Sequence, residues 1–183
     1  MDYKTLAEEL VKKCLNLGAD EAEVYIESAR NLSIEVRNGD VETVEESSSQ
    51  GVGFRVFKQG KMAFSHCNAF NDASLENAIS KAVGFAMITT PDENNVLPDE
   101  TGKTEVEGLY DPSIINISMD NKIALAKQAE QMAMKDSRIT KSAGAGYGEG
   151  EGEIFLANSR GLSKNYKMSA CSFGVSVVAE KEE

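Results

Sequence analysis

Between Glu23 and Glu46 the apolar residues fall on alternate positions: Val24 and Ile26, then Leu32, Ile34 and Val36, and, beyond Asn38-Gly39, Val41. A period of two turns one side of an extended chain toward a core and leaves the other side polar, a pattern that no helix satisfies over this length. Asn-Gly supplies the two positive-φ residues that a type I′ turn needs, so the segment predicts an antiparallel hairpin closed at residues 38 and 39. Two shorter alternating runs, Val52-Phe54-Val56 and Met62-Phe64, meet at Lys58-Gln59-Gly60-Lys61 and extend the hairpin into a meander.

Helical spacing governs three other segments. Leu6, Leu10 and Cys14, flanked by Ala7, Val11 and Leu15, predict a helix over residues 3–17 that stops at Gly18. Residues 74–88, with Ser74 as N-cap, and residues 119–135, capped by Ser118, show the same period. In the last of these, Ile123, Ala126, Ala129, Met132 and Ala133 are expected to face inward. The stretch from Thr89 to Ile117 holds all three prolines and many acids without a sustained period, and is expected to be a connection. Strands are then expected over roughly 139–148, 152–158 and 164–179, with a turn at Asn158-Ser159-Arg160-Gly161.

These elements give an α+β fold, with a mostly antiparallel sheet and three principal helices. Ile34 to Val56 and Ile154 to Val177 share the order strand, Asn-containing glycine turn, polar strand, Phe- and Gly-containing strand, and each follows a helix. An internal helix-plus-hairpin repeat is the expectation, with sub-units 1–88 and 118–183 joined by the acidic, proline-containing connection 89–117.

A chain of 183 residues is long enough to bury a core without disulfides or metal. Its formal net charge of −11 argues against direct binding of nucleic acid, which draws on Lys and Arg for phosphate neutralisation, and against anionic membrane surfaces. Cys14, Cys67 and Cys171 are odd in number and widely spaced, and no apolar run is long enough to span a bilayer. The expected setting is soluble and cytoplasmic.

The search for chemistry returns few candidates. His66 is the only histidine, and a strand would send it and Cys67 to opposite faces, which makes a poor nucleophile and base pair. Zinc catalysis requires several imidazole, thiolate or carboxylate ligands around one open position, which a lone histidine beside a cysteine does not supply. No catalytic, cofactor-binding or metal-binding residue is therefore expected in this chain. The pairs Asp20-Glu21 and Glu45-Glu46 read as a solvated, charged edge that discourages edge pairing, and the tract from Glu45 to Gln50 as a loop or strand end. The tract Gly144 to Gly152 does not complete a dinucleotide fingerprint, since Glu149 occupies the place of the third glycine. In an extended chain Gly148, Gly150 and Gly152 would line one face and Glu149, Glu151 and Glu153 the other. That face is either a solvated hairpin tip or a place where another backbone approaches, such as a partner subunit or an added peptide strand.

Several of these segments, in this order, carry a resemblance. Arg37-Asn38-Gly39 with its acidic strand, Gly51-Val52-Gly53-Phe54-Arg55-Val56, Gly60 to Ser65, Leu109-Tyr110-Asp111-Pro112 and the run from Asp136 to Tyr166 resemble the PmbA side of the TldD/PmbA family. In that family one subunit type is a zinc metallopeptidase with an HExxxH helix. The resemblance implies a system acting on peptides and unfolded proteins, also described as a modulator of DNA gyrase. This chain has no HExxxH, so the resemblance implies a PmbA-type N-terminal domain of a longer protein whose C-terminal domain is absent here, inactive alone. Its partners would be a TldD-type subunit, which would hold the zinc, or a second copy of itself. The alternative is a stand-alone module binding a protein or small ligand without a peptidase partner.

Overall fold

The computed structural model describes residues 2–99, 102 and 106–180, so residues 100, 101 and 103–105 of the acidic connection lie outside the described residues. The elements run α1 (Tyr3–Asn16), β1 (Glu21–Arg37), β2 (Asp40–Lys58), β3 (Lys61–Cys67), α2 (Asp72–Ile88), α3 (Pro112–Asn116), α4 (Met119–Ala133), β4 (Ile139–Asn158) and β5 (Ser163–Ala179). The strands form one five-stranded sheet in the order β3-β2-β1-β4-β5. Antiparallel running of β1 and β4 is visible at the glycines: from Gly144 through Gly146 and Gly148 to Gly150, the nearby β1 carbonyl steps back from Val36 through Ile34 and Leu32 to Arg30. The α+β class, the antiparallel sheet and the three principal helices are as the sequence predicts. Helix followed by long hairpin occurs twice, as α1-β1-β2 and as α4-β4-β5.

The predicted type I′ turn forms at Asn38-Gly39, and Gln59-Gly60 joins β2 to β3 with the same geometry. Asn38 and Gly39 have φ of 53° and 81°, and Gln59 and Gly60 have 53° and 71°, the positive pair of a type I′ turn. The second long hairpin turns at Asn158, whose Oδ1 accepts from the N–H groups of Arg160 at 2.9 Å and Leu162 at 3.1 Å. Four local expectations need correction. The tract from Glu45 to Gln50 lies inside β2, because its backbone pairs within the sheet although every side chain is exposed. β4 is one strand where two were expected, since glycines without side chains still donate and accept in a ladder. α2 starts two residues early, with Asn71 as N-cap accepting from Ser74 N–H at 2.9 Å, and the connection contains the short helix α3 behind Asp111.

The chain forms two compact units that do not follow chain order. The first comprises Met1–Ser28, Ser49–Val106 and Glu153–Lys167, the second Ala29–Ser48, Glu107–Gly152 and Met168–Glu183. The core of the first unit joins Leu10, Val11 and Cys14 of α1 and Leu75, Ile79 and Ala82 of α2 to Val24, Ile26, Phe54, Val56 and Phe155 of the sheet. The second unit has a smaller core of Leu32, Ile34, Val36, Ala126 and Tyr147, with Ile123 against it.

Candidate functional site

The second unit is built on the alternation of β4. Ala145, Tyr147 and Glu149 are buried, and the intervening glycines keep partial exposure. Burial of Glu149 is not what a run of glycines and glutamates suggests, and α4 explains it. The helix turns Lys122, Ala126 and Glu130 inward, a stripe of residues four apart, while Met132, expected inside, is 70% exposed. Lys and Glu read as solvent-facing in the sequence, so the expected stripe was rotated toward the apolar residues beside the true one.

Each inward charge has a defined partner. Lys122 Nζ donates to Glu149 Oε1 at 2.6 Å, and Tyr147 OH donates to Glu149 Oε2 at 2.8 Å. Burial, reinforced by the Glu149 carboxylate, raises the Tyr147 phenol well above its ordinary range, so it stays a donor. Glu130 accepts from Asn38 N–H at 2.9 Å, from Gly39 N–H at 2.7 Å and from the Ser142 hydroxyl. Burial pushes the Glu130 pKa up, but these donors and the charge of Arg37 outweigh it and hold it below the ordinary value. The β2–β3 turn is held in a similar way, since Asp20 accepts from Lys58 Nζ and Gln59 N–H, each at 2.7 Å. The acidic residue Asp20 thus serves a turn.

The opposite side of β4 is paved with glycine. A groove of about 230 Å³ runs over Gly144, Gly146 and Gly174, bordered by Glu35, Arg37 and Glu42, with Arg37 Nη2 3.5 Å from Glu42 Oε2. Gly144 is required by the fold itself, because its φ is +118° and a Cβ would stand 3.3 Å from Val36 O. Other glycines are not required in this way. A Cβ would meet only ordinary contacts at Gly146 (3.6 Å) and Gly148 (3.5 Å), and nothing within 4 Å at Gly174. Glycine inside a strand costs roughly 0.5–1 kcal/mol relative to alanine, so three such positions on neighbouring strands mark a surface kept flat at the expense of stability. Gly150 is tighter, with Asn31 Oδ1 2.9 Å from where its Cβ would stand, and Gly152 lies two residues farther along the same strand. The tract is the interior of a strand paired on both sides, not a hairpin tip.

The strands flanking this surface are bare. Every residue from Asp40 to Gln50 is exposed, and so is every residue from Met168 to Ala179 except Ser169 and Val177. Phe173 is 61% exposed. β3 pairs with β2 only from Val52 to Lys58, which leaves Asp40 to Gln50, among the described residues, as an outer edge. Glu42 and Glu46 on that edge pair with Arg37 and Arg30 of β1.

The remaining sequence candidates fall elsewhere. His66 is exposed on β3 while Cys67 is packed against the core of the first unit, the divergence expected of strand neighbours. Cys14 is buried, with a thiol pushed up to about 12 by its burial, and Cys171 is exposed. Among the described residues no three His, Cys, Asp or Glu side chains cluster as metal ligands, and no helix is long and apolar enough to cross a membrane.

Comparison with known proteins agrees with this architecture. Residues 22–86 match the PmbA/TldA metallopeptidase domain 1 and residues 112–183 the PmbA/TldA metallopeptidase central domain. The chain is 27% identical over 186 residues to the metalloprotease PmbA of Escherichia coli O157:H7, covering 97% of this chain and 41% of that protein. It is 29% identical over 167 residues to the metalloprotease PmbA homolog of Haemophilus influenzae, covering 88% and 36%. A crystal structure from Bacteroides thetaiotaomicron, described as a candidate modulator of DNA gyrase, superposes with a TM-score of 0.88 at 27% identity over 100% of this chain and 43% of that one. TldE from Thermococcus kodakarensis shares the fold, with a TM-score of 0.81 at 21% identity over 95% and 39%. The chain thus spans about two fifths of the length of the relatives it matches, and with both domain models met in order along it, it belongs to the TldD/PmbA family.

Proposed function

We propose that these residues form the non-catalytic N-terminal scaffold and association region of a TldD/PmbA-type peptidase system, one that acts in the cytoplasm on peptides and unfolded proteins. In this reading a TldD-type partner subunit holds the zinc, and the present chain contributes contact surface. The observation that carries it is the second unit's sheet, where β2 from Asp40 to Ser48 and most of β5 from Met168 to Ala179 are bare beside a glycine floor. Strands whose side chains find no cover within their own chain are natural sites for addition of another chain. The single histidine adds support, because these residues cannot supply a pair of imidazoles. The relatives bear the names metalloprotease and gyrase modulator, and the charge of −11 favours a role through protein contacts over direct contact with DNA.

The test is association with a purified TldD-type subunit, followed by sedimentation velocity, for the chain and its Gly174→Val variant. Valine suits an extended strand and meets nothing within 4 Å at this position, so the fold should survive. A complex formed by the parent chain and weakened at least about tenfold, ~1.4 kcal/mol, by the variant is the expected result. Equal association of both proteins would place the contact elsewhere.

A further inference from the structure

The first unit carries a second glycine-floored depression, of different chemistry. Tyr25 and Glu27 of β1, Gly51 and Gly53 of β2, His66 of β3 and Asn68 line an open depression of about 400 Å³. The strand register explains how they meet. Val24, Ile26, Val52 and Phe54 face the core, so Tyr25, Glu27, Gly51 and Gly53 face the other way, and His66 stands directly across from Gly53. Gly53 has no internal reason to lack a side chain: a Cβ there would meet only Tyr25 O at 4.0 Å. Its absence leaves a flat floor between the Tyr25 ring and the imidazole.

The charges of the slot are unequal. Arg55, outside the lining, pairs with Glu23, with Nη2 2.7 Å from Oε1, while its Nε is buried without a hydrogen-bond partner. Glu27 has no ion-pair partner among the described residues, and it accepts only a long hydrogen bond from Tyr25 OH at 3.3 Å. Gln50 Oε1 is occupied by Tyr3 OH at 2.8 Å. The groups left to address a ligand are therefore the Glu27 carboxylate, the Tyr25 face, the His66 imidazole and the Asn68 amide.

We propose that this slot binds a planar guanidinium group, lying on the Gly53 backbone against the Tyr25 ring and donating to the Glu27 carboxylate. A guanidinium fits better than an ammonium because its flat fork stacks on an aromatic face and gives paired N–H groups to one carboxylate. Anions are disfavoured by the unpaired carboxylate. The group could arrive as a free small guanidine or as the arginine of an extended peptide. The groups that would hold the guanidinium, Tyr25, Glu27, Gly53 and Asn68, lie outside the association surface, although Ser49 and Gln50 border both.

The experiment is an amide NMR titration of the whole chain at low salt with ethylguanidinium, with acetylated and amidated Ala-Arg-Ala, and with its lysine counterpart. Saturable shifts at Gly51, Gly53 and His66 are expected with the arginine peptide, several-fold weaker with lysine. Shifts with ethylguanidinium as well would show that the free cation suffices, and their absence that the peptide is required. Glu27→Gln should weaken binding about tenfold, as expected for loss of a charged hydrogen bond, and Gly53→Val should abolish it by filling the floor. Glu9→Gln, at an exposed acid of α1 outside the slot, should leave it unchanged. Binding unaffected by Glu27→Gln, equal affinity for the two peptides, or shifts scattered over other acidic residues would overturn the proposal.

Discussion

Removing one partner of the Lys122–Glu149 pair should destabilise the second unit far more than removing both. The two side chains are 4% and 3% exposed and their charged atoms are 2.6 Å apart. At an effective dielectric of 20 that separation corresponds to an attraction of about 6 kcal/mol. Desolvation of two ions consumes several kcal/mol each, so the net worth of the pair is small. Lys122→Met leaves the Glu149 carboxylate buried with Tyr147 OH as its sole side-chain donor, and should cost about 3–5 kcal/mol. The double variant Lys122→Met, Glu149→Leu, made with Tyr147→Phe so that no buried hydroxyl is stranded, buries apolar side chains of similar volume and should lie within about 2 kcal/mol of the parent. Because the chain has two compact units, a single global transition is not assumed, and hydrogen exchange of peptides covering α4 and β4 is the suitable assay. A double-mutant cycle giving a coupling below about 0.5 kcal/mol, or a Lys122→Met variant as protected as the parent, would refute this reasoning.

The Glu130 clasp should be lost in acid. Its carboxyl titrates below the ordinary 4.5 when folded, so the stabilisation is complete above that value and disappears as pH falls through the lower folded value; Glu130→Gln should remove this dependence from exchange at Asn38 and Gly39. Gly39→Val should destabilise the first hairpin by about 1–2 kcal/mol in denaturant melts, because its φ of +81° is unfavourable for a branched residue. A maleimide should label exposed Cys171 first and buried Cys14 only on unfolding, with mass spectrometry reporting the order. Zinc measured after purification without chelators should fall well below one per chain, and one per chain would contradict assignment of the metal to a partner subunit.

The backbone plan was legible because it rests on local rules. Asn38-Gly39 permits few other turns, Val24 to Val36 cannot be helical without exposing half its apolar residues, and Asn158 to Gly161 closes the second hairpin with an ordinary side-chain-to-backbone motif. The interior of the second unit was not legible. Lys122, Glu130 and Glu149 look solvent-facing one at a time, and only pairing across 27 residues of chain, or 92 between Glu130 and Asn38, makes their burial affordable. The glycine tract was half readable. Alternation assigned Gly148, Gly150 and Gly152 to one face, but only the structure separates Gly144, which the fold needs, from Gly146, Gly148 and Gly174, which it does not. Gly174 sits in a run with no glycine period, and the Tyr25–His66 slot joins three strands, so neither leaves a signal along the chain.

The central claim, that the bare strands of the second unit exist to be covered, is tested most directly by hydrogen exchange of the chain alone and in complex with a TldD-type subunit. The account predicts slowed exchange at the amides of β2 from Asp40 to Ser48 and of β5 from Met168 to Ala179, with α1 and α2 unchanged. Protection confined to α1 and α2, with both bare strands exchanging as in the free chain, would contradict it.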